Sequence, residues 1–314
     1  MFSTTLATHQ LTSYIYNASG INNQVISQLK KIADSHSGAI MIKSATLDPR
    51  AGNPNPRYLV KSDLIKGCTF NSMGLPNEGI QKTLEMVGEL KKYTNKPVIV
   101  SLSGLSQLEN LEMIKMTQNQ SLADIIELNL SCPNVVGKPM VGYEASQVED
   151  IFIKIRDLNG NIPLGVKLPP YTDLPIFDEI SELLIKYQIS YISCCNTIGN
   201  CLVINSETET TMIKPKNGLG GLAGDFVKPL ALGNVWNFYQ RLQGKVQIVG
   251  VGGVRTGTDA FEFLLAGADA VQIGTTFAQE GLGAFERIGV ELDQIMAQKG
   301  YAEINSAKGK LKTL

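Results

Sequence analysis

Histidine is almost absent: His9 and His36 are the only two in 314 residues. They are too few, and too far from the cysteines, to build a zinc site. Cysteine is sparse as well, with Cys68, Cys132, Cys194, Cys195 and Cys201. An odd count spread through a long chain argues against a disulfide framework. Without a CxxC pair or a thiolate cluster, an iron–sulfur centre lacks its ligands. No run approaches the ~18 consecutive apolar residues that a membrane helix needs. The opening stretch MFSTTLATHQLTSYIYNASG has no basic segment leading into an apolar one, so no secretory signal is expected and the cytosol is the default location. One-sided charge is lacking too. The formal net charge is -1, which leaves no basic field for nucleic acid or anionic lipid. No repeat, linker or low-complexity tract divides the chain, so one domain over 1–314 is expected.

What is present is a regular alternation. Eight short, nearly all-apolar runs read as parallel strands covered on both faces: 14–19, 38–44, 96–103, 124–131, 162–168, 190–197, 246–253 and 270–276. Helical periodicity fills many of the gaps, as over 23–35, 80–93, 146–158, 177–188 and 258–268. Eight strands alternating with helices point to an α/β fold, a (β/α)8 TIM barrel, with an open doubly wound sheet as the alternative. Two connections, 45–79 and 198–228, are too long for bare links. Both follow strands, so both belong to the carboxyl-terminal face, where barrels build their sites. A third, CPNVVGKPMVGY over 132–143, has the glycines and prolines of a lid.

Several residues on that face carry chemistry. The strand over 246–253 ends in Gly252-Gly253 and the next leads into Gly274-Thr275, a pairing suited to a phosphate held by backbone amides. Lys43 and Lys167 sit at strand ends. Each is open to three readings: a cation against a flavin's reducible edge, a Schiff-base nucleophile, or a side chain reaching solvent. Asn71, Asn129, Asn134 and Asn196 also lie at or beyond strand ends. Their amides offer the donors and acceptors that a polar planar ring presents in return. Cys132 follows a strand at the start of the lid, where a thiolate could remove a carbon-bound proton beside a carbonyl. Cys68, Cys194 and Cys195 read as buried, inert thiols.

Together the motifs NASG (17–20), IKS (42–44), RAGNPNPRY (50–58), NSMGLPN (71–77), ELNLSCPN (127–134), VGKPMVGY (136–143), GVKLPPY (165–171), NTIGN (196–200) and IKPKNGLGGLAG (213–224) run in order along the chain. They resemble dihydroorotate dehydrogenase, most closely its soluble, A-type class 1 branch. The resemblance implies one FMN per subunit, Cys132 as base, a homodimer, and fumarate (reduced to succinate) as electron acceptor. It also implies no quinone-binding amino-terminal extension. Lys43, Asn71, Asn129, Asn134, Asn196 and Thr197 would hold dihydroorotate or orotate, bordered by Met73, Gly74 and Leu75. Ser19, Gly20, Lys43, Ser44, Asn129, Lys167, Cys195, Gly224, Gly252, Gly253, Gly274 and Thr275 would surround FMN. Four residues depart from the family's usual pattern: Thr197 adds a methyl where serine is common, Cys201 replaces a glycine, Asn205 replaces an aspartate, and Glu78 stands where an apolar residue is common.

Overall fold

The computed structural model describes residues 1–131, 140–158 and 160–314. The eight apolar runs form eight parallel strands: β1 (Ile15–Asn17), β2 (Ile40–Met41), β3 (Val98–Leu102), β4 (Ile125–Asn129), β5 (Leu164–Lys167), β6 (Tyr191–Cys194), β7 (Gln247–Val251) and β8 (Ala270–Ile273). Their order in the sheet is β1-β8-β7-β6-β5-β4-β3-β2. From β2 to β8 each strand neighbours the next in sequence, and β8 neighbours β1, which is barrel order and rules out the doubly wound alternative. Alternate residues face two separate cores. Ile126, Val166, Ile192 and Val271 face outward into the strand–helix layer. Tyr16, Met41, Ile99, Ile125, Tyr191 and Val249 pack inside the barrel.

Helices follow the strands: α1 (Ile26–Ala33), α2 (Gly79–Tyr93), α3 (Gln107–Gln120), α4 (Ala145–Arg156), α5 (Leu174–Lys186), α6 (Lys228–Leu242), α7 (Gly257–Leu265), α8 (Thr275–Glu280) and α9 (Gly283–Gln298). The predicted helices agree within three residues at each end. Helix α3 shows weak apolar periodicity because its buried face includes Asn110 and Thr117 beside Met113 and Ile114. Among the described residues, no helix is long and apolar enough to cross a membrane.

Three features were not read from sequence. The amino-terminal residues form a hairpin, Thr4–Leu6 with His9–Leu11. Its Leu6 and Leu11 pack into the barrel's inner core and close the amino-terminal mouth. The two long connections pair with one another. Strands 198–202, 219–224, 68–71 and 58–59 form an antiparallel sheet in that order. It rests on its own apolar cluster of Ile65, Cys68, Phe70, Val203 and Ile213.

The third feature is the closing seam. β1 and β2 share no ladder in the sheet. Below the seam, Gly38 N–H donates to Ile15 C=O at 2.8 Å. A Cβ on Gly38 would lie 2.1 Å from Ser13 C=O, so only glycine fits this approach. Above it, the Asn17 side chain takes the place of backbone. Its Nδ2 donates to Met41 C=O at 2.7 Å, and its Oδ1 accepts from Met41 N–H at 3.0 Å. Asn17→Ala leaves that buried N–H unpaired, a loss on the order of 1–3 kcal/mol. The expected result is a lower urea midpoint at unchanged slope. A midpoint equal to that of the parent protein would show that the seam closes by other contacts.

Candidate active site

The carboxyl ends of the strands and the antiparallel sheet enclose one large cavity that opens to solvent. Parallel strands end here together, so residues at unrelated places in the sequence meet on one floor. Asn129 of β4 and Lys167 of β5 are register partners, and Lys167 pairs in turn with Ser193 of β6. Cys195, Asn196 and Thr197 continue from β6 into the wall.

The glycine end is built for close approach. Gly252 and Gly253 have φ of +131° and +75°, and Gly224 has +106°. A Cβ on Gly253 would meet the Lys228 side chain at 2.6 Å, and one on Gly224 would meet Gly67 C=O at 2.4 Å. Side chains are excluded and backbone faces the cavity, as a phosphate requires. Gly274 and Thr275 stand beside them, with Thr275 Oγ1 hydrogen-bonded to Thr69 Oγ1 at 2.9 Å.

At the other end Ser19, Gly20, Lys43 and Ser44 line the wall. Their hydroxyls form a chain: Ser19 Oγ to Ser44 Oγ at 2.7 Å, then Ser44 Oγ to the buried Ser101 Oγ at 2.9 Å. The amides are held in defined orientations. Asn129 Oδ1 accepts from Ser131 N–H and Oγ, both at 3.1 Å. Asn196 Nδ2 donates to Ser131 Oγ at 2.9 Å, while its Oδ1 accepts from Thr197 N–H at 2.8 Å. Asn71 Nδ2 reaches Gly221 C=O at 3.4 Å across the antiparallel sheet.

Lys167 is the buried cation of the floor, 6% exposed. Burial pulls its pKa down from the usual lysine value, and Glu127 is the largest influence pulling it back up. Burial pushes the Cys195 thiol up to about 12 against the opposing pull of Lys167, so this cysteine stays protonated and serves as wall. Cys68 is likewise raised by burial, as the reading of an inert thiol requires.

Seventeen of the expected site residues therefore meet at one cavity. Gly74 does not line it. It is the turn between Met73 and Leu75, which do; its φ is +71°, and a Cβ would strike Asn53 at 2.4 Å. Cys132 and Asn134 lie outside the described residues. Sequence reasoning missed Tyr58 and Thr69, brought in by the antiparallel sheet, and Gln272 of β8. A glutamine interrupting the apolar run AVQI was the available signal for the last of these.

Comparison with known proteins agrees with this geometry. A sequence model of the family described as dihydroorotate dehydrogenase matches residues 1–296. The chain is 45% identical to dihydroorotate dehydrogenase A (fumarate) of Lactococcus lactis subsp. cremoris, over 100% of both proteins. It is 44% identical to dihydroorotate dehydrogenase (fumarate) of Lachancea kluyveri, over 98% of this chain and 96% of that one. In fold it is similar to the crystal structure of DHODH from Eimeria tenella in complex with ferulenol. That likeness has a TM-score of 0.82 at 20% identity, covering 98% of this chain and 88% of the other. With a barrel of this order, a cavity of this composition and matches along the full length, the chain belongs to the dihydroorotate dehydrogenase family.

Proposed function

We propose that this protein oxidises dihydroorotate to orotate with FMN as cofactor and fumarate as the acceptor that is reduced to succinate. The observation that carries this reading is the single cavity. It joins a backbone-lined glycine end to a floor bearing Lys167, Asn129 and Asn196. Two buried features fit a flavin in that space. Lys167 offers a cation where a reduced ring gathers negative charge. Gln272, on the cavity wall, has an Oε1 with no hydrogen-bond partner among the described residues. Gly224, Gly252, Gly253, Gly274 and Thr275 would hold the phosphate, and Ser19, Gly20, Ser44, Lys167 and Cys195 would surround the rest. When bound, FMN supplies the hydride acceptor.

The chain's own residues do the remainder. Lys43, Asn71, Asn129, Asn134 and Asn196 bind the substrate's carboxylate, carbonyls and N–H groups, and Met73, Leu75 and Thr197 border it. Cys132 removes the C5 proton as hydride leaves C6, which produces the ring double bond of orotate. The tethered amides cannot take a proton near neutrality, and the floor lysine is needed as a cation, so the thiolate of Cys132 is the group available for this step. The Schiff-base reading of Lys43 or Lys167 gives way because the full-length relatives are named dehydrogenases.

A second copy of the chain is the expected partner. Leu202 and Leu219 are register partners in the antiparallel sheet, and with Ile204 they leave an apolar patch exposed. Exposed apolar patches of this kind mark interaction surfaces. Replacement of Ile204 by lysine is expected to shift the protein from dimer toward monomer in sedimentation velocity. A parent protein that is already monomeric would remove the proposal.

Two experiments test the activity. Purified protein should be yellow, bleach with dihydroorotate under argon, and recover colour with fumarate. A colourless protein that cannot be reconstituted with FMN would overturn the reading. Cys132→Ala should leave a yellow protein that binds orotate but bleaches more slowly, by about 10²–10⁴-fold. In the parent protein the bleaching rate should rise with pH to a plateau set by the thiol, starting from its reference value of about 8.5. Stopped-flow absorbance of the anaerobic half-reaction isolates this step. Bleaching of Cys132→Ala within a few-fold of the parent would assign the base elsewhere.

A further inference from the structure

Below the cavity floor, the barrel interior holds a polar cluster that the proposed reaction does not use. Register places it. Glu127 of β4 pairs with Gly165 of β5, and two residues on, Asn129 pairs with Lys167. Residues two apart share a strand face, so Glu127 lies one layer beneath Asn129 and Lys167. Gly165 contributes no side chain to that layer. A Cβ there would sit 2.1 Å from the Tyr191 ring, so glycine makes room for the tyrosine. Tyr191 then reaches Glu127.

Glu127 is completely buried. Its Oε2 accepts from Ser193 Oγ at 2.6 Å, Tyr191 OH at 3.2 Å and Gln272 Nε2 at 3.2 Å. Gln272 Nε2 also reaches Tyr16 OH at 3.0 Å. Glu127 Oε1 accepts no hydrogen bond among the described residues. Three donors on one oxygen and none on the other leave the carboxylate asymmetric, with one oxygen unspent. Buried carboxylates and buried ammonium groups are both costly without a partner of opposite sign.

Among the described residues, the titratable groups in the cavity around Lys167 and in the layer below it are few. Glu127 comes from β4, Cys195 follows β6, and the phenols of Tyr16 and Tyr191 come from β1 and β6. Gln272 of β8 is uncharged, and Lys43 lines the same cavity beyond β2. Burial, with Glu127 adding to it, raises the pKa of Tyr16 and Tyr191, so neither offers an anion. Cys195 stays protonated for the reason given above. Among the described residues, Glu127 is the carboxyl group that stands in the layer beneath Lys167.

We propose that Glu127 is a positioning residue whose buried negative charge keeps the Lys167 ammonium protonated beneath the cofactor cavity. Without that charge, burial acts on Lys167 unopposed from this layer and favours the neutral amine. The consequence for a flavin rests on the FMN reading above; the charge balance between Glu127 and Lys167 does not.

The test uses FMN-loaded protein labelled at lysine ¹³Cε, with the Lys167 signal assigned by Lys167→Met. Titration from about pH 6 to about pH 12 brackets the lysine reference value of about 10.4 and the expected fall below it. In Glu127→Gln, the Lys167 titration should fall by at least about one pH unit, a tenfold loss of proton affinity. The flavin midpoint potential should gain a break at the same pH, and that break should vanish in the double variant with Lys167→Met. Glu127→Asp keeps the charge but draws it back, and should give a smaller fall. If Glu127→Gln does not fold, Glu127→Asp carries the same test. A Lys167 titration unchanged in the folded variant would overturn the proposal, whether or not turnover had dropped. A parent protein that fails to hold FMN would count against the flavin reading alone, since the Lys167 titration of the unloaded protein still decides the charge balance.

Discussion

The carboxamide of Asn17 stands in for a ladder that the first two barrel strands are too short to form. β1 has three residues and β2 has two. An amide side chain carries the same donor and acceptor as a peptide group, so one asparagine can bridge Met41 in both senses. Asn23 adds a second donor to the same carbonyl at 3.0 Å, and its own C=O accepts from Lys43 N–H at 3.1 Å. The seam therefore fixes the two segments that carry Ser19 and Gly20 on one side and Lys43 and Ser44 on the other. The Ser19–Ser44 contact at 2.7 Å depends on this alignment. Closure of the barrel and construction of one cavity wall are a single event at this seam.

The barrel was legible because its strands are buried on both faces and read as unbroken apolar runs. The same property blurred their ends. The run over 190–197 stays apolar or small past Cys194, where the strand stops and the cavity wall begins. The antiparallel sheet was hidden for a different reason. Its strands are two to six residues long, and Asn71 meets Gly221 across 150 positions of sequence. No local pattern reports a pairing between two loops. The amino-terminal hairpin, with three residues per strand, is equally short.

The site was legible where polarity interrupts an apolar strand at its carboxyl end. Lys43, Asn129, Lys167 and Asn196 all have that placement, and register brings the middle two side by side. Gly252 and Gly253 were legible as a pair because two glycines after a buried strand serve little else on this face. Thr69 and Tyr58 were not, since the antiparallel sheet that delivers them was not seen. Glu127 and Gln272 lie mid-strand rather than at the end. Their polarity was visible in the sequence, but only the barrel's shear shows that both point inward, to within 3.2 Å of each other.

That inward layer departs from what a barrel of this size usually holds. Such interiors are filled by bulky branched side chains, in layers that exclude polar atoms. Here the lower layer keeps to the rule with Met41, Ile99 and Ile125, sealed from below by Leu6 and Leu11. The layer above breaks it with Tyr16, Glu127, Ser193 and Gln272. A well-packed apolar layer in that place would satisfy every neighbour and leave no oxygen unpaired, whereas this one leaves Glu127 Oε1 and Gln272 Oε1 without partners among the described residues. Local departures from good packing gather where function needs them. The placement is consistent with that rule, because the polar layer lies directly under Asn129 and Lys167. The barrel thus divides along its axis, an apolar lower half that supplies cohesion and a polar upper half that fixes charge beneath the cavity.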